Sequence, residues 1–67
     1  MQRLTPREQE VARLLAQGKR QIDIAHELVL SRHTVYDHVK NACLKTGAHS
    51  PLDLALQVAL EIPDKSG

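Results

Sequence analysis

The sequence predicts an all-α domain of four helices, the second and third joined by a tight turn. Three observations predict it. Cap-and-proline starts occur at Thr5-Pro6 and Ser50-Pro51, and glycines at positions 18 and 47 close helical patterns. Between these marks the apolar residues recur at helical spacing, with no strand-like alternation.

Thr5-Pro6-Arg7-Glu8 opens the first helix. Thr5 can cap, Pro6 brings a pre-set φ to the first helical position, and Glu8 stands where it closes a capping box. Val11, Leu14 and Leu15 follow on one face, and Gly18 is placed to end the helix in a left-handed conformation. This gives a first helix over about 6–17.

The second helix spans about 21–28. Ile24, Ala25 and Leu28 form its buried stripe, while Asp23 and Glu27 face water. Ile22 falls about 115° from the centre of that stripe and is expected to be partly covered. Ser31 then caps a third helix over about 32–46, with Thr34 able to answer the cap, and Gly47 stops it.

Ser50-Pro51-Leu52-Asp53 repeats the start signal, with Asp53 where a carboxylate suits a helix N-terminus. The fourth helix runs over about 51–61. Residues 63–67, Pro-Asp-Lys-Ser-Gly, read as a frayed tail after a single folded unit over 1–62.

Composition narrows the function classes. At 67 residues the chain holds one small domain, whose modest core makes an attached domain or a second copy a useful support. Hydrophobic residues at 42% and a net charge of only +1 exclude a disordered polyelectrolyte. Residues 18–47 carry five Lys/Arg against three acids, whereas residues 50–67 carry one Lys against three, so a polyanion would meet the middle.

Cys43 is the single cysteine, which rules out an intrachain disulfide and fits a reducing compartment. Apolar runs fall short of the roughly 18 residues a membrane span needs. No signal-peptide pattern opens the sequence, so a cytoplasmic protein is expected.

Two short helices linked through Val29-Leu30-Ser31 form a helix-turn-helix, whose second helix enters the DNA major groove. Wrapping that helix at about 100° per residue from Val35 puts Val39, Ala42 and Thr46 within roughly 40° of it, an inner face. His33, Tyr36, Asp37, Lys40 and Leu44 fall between about 100° and 200°, on the outer side.

Lys40 can donate to guanine O6 and N7, and Asp37 can accept from a cytosine amine. Tyr36 can meet a thymine methyl or a phosphate. Arg32 and His33 lie in the first turn, where the backbone is in reach. Lys45 at the far end and Arg7 beside the Thr5 cap are further phosphate donors.

Leu4-Thr5-Pro6-Arg7-Glu8, Gly18, Ile24-Ala25, Leu28, Ser31, Thr34-Val35, His38, Asn41, Lys45 and Gly47 together resemble the LuxR/FixJ-type DNA-binding domain, in register over about residues 4–60. The resemblance implies the output domain of a bacterial transcription regulator that binds an inverted-repeat operator as a homodimer. It implies that Tyr36, Asp37 and Lys40 read bases, and that Arg7, Ser31, Arg32, His33, Thr34 and Lys45 hold the DNA backbone. In such a domain the fourth helix forms the dimer seam, here assigned to Leu54, Val58 and Glu61 within an apolar surplus that also includes Leu52, Leu56 and Leu60. A preceding sensor or receiver domain is implied, and RNA polymerase is a further candidate partner.

The sequence departs from the family pattern in places. Arg20 replaces a capping Ser or Thr, and Val29 stands at a turn position often held by Gly. Ala42 and Thr46 replace larger aliphatics, Leu44 replaces a basic residue, and Tyr36-Asp37 replace a Lys and an aliphatic.

Competing readings are less economical. Tyr36 at half exposure and Asp37 paired with Lys40 at i, i+3 would be ordinary surface features. Cys43, near 80° on the same wheel by about 100° per residue, suits a small core filler. The histidines do not make a metal site: His26-Glu27 lacks the second His of HExxH, and His33 and His38 point apart. No cofactor is implied. No nucleophile, base and orienting group assemble, so an enzyme is not expected. The alternative function is a helix-turn-helix used as a protein-protein interaction module, with Leu44 and Ile22 in its contact patch.

Overall fold

The computed structural model describes residues 3–61, apart from the side chain of Glu61. The expected tail at 63–67 and the domain end at 62 lie outside the described residues. Four helices run in order: α1 (Pro6–Ala16), α2 (Gln21–Leu28), α3 (Arg32–Thr46) and α4 (Pro51–Glu61). Among the described residues there is no strand.

Local chemistry sets the boundaries. The Thr5 hydroxyl accepts the Glu8 N–H at 3.2 Å and the Glu8 carboxylate accepts the Thr5 N–H at 3.0 Å, completing the capping box. At the other end of α1 the Lys19 N–H reaches Leu14 O at 3.2 Å and the Gly18 N–H reaches Leu15 O at 2.9 Å. These are the paired bonds of a Schellman motif, and Gly18 supplies the left-handed residue at φ 92°. Gln17 is therefore the cap and not part of the helix, one residue short of the expected end.

The same motif ends α2 with a different residue. Leu30 N–H donates to Ala25 O at 2.8 Å and Val29 N–H to His26 O at 3.3 Å, placing Val29 in the left-handed region at φ 57°. Val29 is the only non-glycine residue with positive φ among those described. A β-branched side chain there is strained, and at 89% exposure it gains no burial in return. Arg20 gives α2 no side-chain cap, as its identity implies.

Ser31 caps α3 by accepting the Thr34 N–H at 3.0 Å, and the two hydroxyls meet at 2.9 Å. Gly47 closes that helix at φ 78° with its N–H on Cys43 O at 2.8 Å. Ser50 accepts the Asp53 N–H at 3.1 Å, while Asp53 accepts the N–H of His49 at 2.9 Å.

The core is Val11, Ala12 and Leu14 from α1, Ile24 and Ala25 from α2, Val35, Val39 and Ala42 from α3, and Leu54 from α4. Helices α1 and α3 each touch all the others, whereas α2 and α4 do not meet. The helix-turn-helix is thus held from behind by α1, with α4 closing the far side. Thr46 sits at the core edge, its hydroxyl donating back to Ala42 O at 2.9 Å, an arrangement that satisfies the polar group without a partner from another helix.

Candidate nucleic-acid interface

The inner side of α3 disappears into the domain. Val35, Val39 and Ala42 are at most 2% exposed, so the helix cannot rotate without opening the core. Its other side faces outward: Arg32, His33, Tyr36, Asp37, Lys40, Asn41 and Leu44 are all exposed. This is the division the helical wheel predicts, and it fixes which side chains an external ligand can touch.

Tyr36 is 55% exposed. Asp37 does not turn to Lys40. Its carboxylate lies 3.5 Å from His33 Nε2, an i, i+4 contact that becomes an ion pair when the imidazole is protonated. Lys40 has no ion-pair partner among the described residues. Around the first turn, the hydroxyls of Ser31 and Thr34 are joined to each other and to the cap, while Arg32 and His33 stand free of it.

Arg7 is held by Glu10 at 2.9 Å, with both side chains nearly half exposed. An exposed pair of this kind contributes at most about 1 kcal/mol and yields readily to a stronger anion.

Two of the expected site residues are engaged within the domain itself. Lys45 does not stand free at the end of α3: its ammonium donates to Glu8 Oε1 at 2.8 Å, and its side chain is only 22% exposed. Leu54 is fully buried in the core and has no surface to give to a seam. The cause is geometric, because the 54–58 spacing marks the stripe of α4 that faces its own domain, with Val58 half-buried at the core edge. The side chain of Glu61 lies outside the described residues.

The free apolar stripe of α4 is instead Leu52 at 80%, Leu56 at 57% and Leu60 at 77% exposed. Their i, i+4, i+8 spacing in the sequence marks one face. What the sequence alone does not reveal is which of two apolar stripes turns inward.

Glu8 is the buried charge the sequence reading missed. It is 4% exposed, and its Oε1 accepts from both Thr5 N–H and Lys45 Nζ. Burial pushes its carboxyl up, but the Lys45 ammonium and the Thr5 donors outweigh that and hold it below its ordinary value. At the α3–α4 turn, burial first and the charge of Asp53 second push the Cys43 thiol up. Its Sγ donates to Ser50 O at 3.6 Å, which suits a protonated filler.

Four helices, with α2 and the outward-facing α3 joined by a tight turn, define a helix-turn-helix domain. Residues 2–58 match the bacterial regulatory proteins of the luxR family, and the chain belongs to that family. It is therefore a DNA-binding, transcription-regulating domain and not an enzyme.

Over 44 residues it is 50% identical to the spore germination protein GerE of Bacillus subtilis (strain 168), a span of 66% of this chain and 60% of that protein. Over 51 residues it is 45% identical to the uncharacterized response regulatory protein YgeK of Escherichia coli (strain K12), covering 76% of this chain and 35% of that protein. The chain thus spans 60% of the one relative and 35% of the other. No solved structure matches it. No helix among the described residues is long and apolar enough to cross a membrane.

Proposed function

We propose that this domain binds double-stranded DNA sequence-specifically as a homodimer, each copy laying α3 in the major groove. The carrying observation is the partition of α3, with Val35, Val39 and Ala42 buried on one side and Arg32, His33, Tyr36, Asp37, Lys40 and Leu44 exposed on the other. Tyr36, Asp37 and Lys40 address base edges, while Arg7, Arg32, His33, Ser31 and Thr34 hold the sugar-phosphate backbone. The Leu52-Leu56-Leu60 stripe supplies the seam, since three exposed leucines on one face of a small domain need a cover.

Two-fold pairing calls for an inverted repeat with half-sites about one helical turn apart. A receiver or sensor domain attached to this unit completes the reading, in keeping with a relative named as a response regulatory protein that extends well beyond the matched segment. A cytoplasmic location and contact with RNA polymerase follow from the same role.

Selection of bound sequences from a randomised duplex pool, with salt titrated, tests this. An enriched inverted repeat is the expected outcome. Weak, uniform binding with no motif would contradict sequence-specific reading.

Leu44, 74% exposed on the same side of α3, favours a second reading in which that side meets protein. Leu44→Lys separates the two. DNA affinity rises if the face meets phosphate, and partner binding falls if it meets protein.

A further inference from the structure

We propose that DNA binding by this domain takes up a proton on His33, with His33 and Asp37 acting as one charge-controlled pair on the free side of α3. The inference rests on the reading that this side meets DNA.

Asp37 places a carboxylate where phosphates will approach, and like charges there repel. The group positioned to offset it is the His33 imidazole at 3.5 Å, with side-chain exposures of 85% for His33 and 53% for Asp37. A neutral imidazole leaves the carboxylate uncompensated. An imidazolium cancels it and adds a donor for a phosphate oxygen. Imidazole is also the side chain whose charge changes between about pH 5 and 8.

The first turn of α3 carries no acid, so a phosphate brought there adds a negative charge beside the imidazole. The complex therefore holds the proton more firmly than the free chain, and linkage makes affinity rise as pH falls.

Of the other acids among the described side chains, all but Asp23 are already engaged. From α1, Glu8 is taken by Lys45 and Glu10 by Arg7. From α2, Glu27 is taken by Lys19 at 3.0 Å, and Asp23 is exposed in its first turn. From α4, Asp53 accepts the His49 N–H. On α3 itself Arg32 and Lys40 share the exposed side. Among the described residues Asp37 is the only ion-pair partner of His33.

The test is a titration of the whole 67-residue chain against a duplex bearing the selected repeat, at fixed salt. The proposal expects roughly five- to tenfold tighter binding per copy at about pH 6 than at about pH 8, within the limit of one proton per site. His33→Gln should flatten the profile at the weaker level. Imidazole resonances of His33 should titrate at higher pH in the complex than in the free chain, a readout that a merely structural role would not move.

A flat wild-type profile overturns the proposal and leaves the DNA reading standing. Wild-type pH dependence retained in His33→Gln also overturns it, and assigns the proton to His26, His38 or His49. Absence of duplex binding at every pH overturns both readings together.

Discussion

Lys45, near the end of α3, donates to the carboxylate of Glu8, near the start of α1, across 2.8 Å and 37 positions of sequence. The same carboxylate oxygen caps the Thr5 N–H. One side chain thus closes the first turn of α1 and anchors the far end of the outward-facing helix.

Removing Glu8 should cost more than a surface charge does. Glu8→Ala leaves a part-buried ammonium and a backbone N–H without their acceptor, a loss of about 1–3 kcal/mol. Urea unfolding of wild type and variant measures it. The pH dependence has a definite sign. Because Glu8 is held below its ordinary value of 4.5, its contribution is full above that value and fades as pH falls through the lowered one. Glu8→Gln should therefore lose less stability than wild type over that acid range. Equal acid sensitivity would remove Glu8 from the account.

Val29 and Gly18 occupy the same left-handed position of the same helix-ending motif. Val29→Gly should stabilise the domain by about 1 kcal/mol, because release of strain exceeds the added freedom of the unfolded chain. Gly18→Ala should destabilise by about 1–2 kcal/mol. A Cβ at position 18 meets nothing within 4 Å, so that cost is conformational and not steric. Thermal melts of the two variants should move in opposite directions.

The two stripes of α4 separate folding from assembly. Leu54→Ala opens a cavity at a fully buried site and should cost about 2–5 kcal/mol. Leu56→Ala, on the exposed stripe, should change monomer stability by less than about 0.5 kcal/mol while weakening self-association. Sedimentation equilibrium, alongside denaturant unfolding, distinguishes them. Unchanged association in Leu56→Ala would direct the seam elsewhere.

How far these features were legible in the sequence follows from how local their causes are. The starts of α1, α3 and α4 and the ends of α1 and α3 rest on residues within a few positions of each other: Thr5 with Glu8, Ser31 with Thr34, Ser50 with Asp53, and glycines after α1 and α3. Those were readable, and so was the outward side of α3. The Lys45–Glu8 contact spans 37 positions and had no local mark, so Lys45 read only as a phosphate donor. Asp37 had candidate partners at i+3 and i−4, and side-chain geometry chose His33. On α4 both stripes are apolar, and only packing against α1 and α3 turns Leu54 inward.

The central claim is that α3 reads sequence, and Lys40→Ala tests it most directly. Affinities for the selected repeat and for its single-base variants are measured across a range of salt. Base reading by Lys40 predicts a loss of about 1–3 kcal/mol on the preferred sequence and relaxed discrimination at one base position. A uniform loss over all sequences, with the salt slope reduced by about one, would make Lys40 a phosphate contact. Unchanged affinity on every sequence would contradict the placement of this side of α3 against DNA.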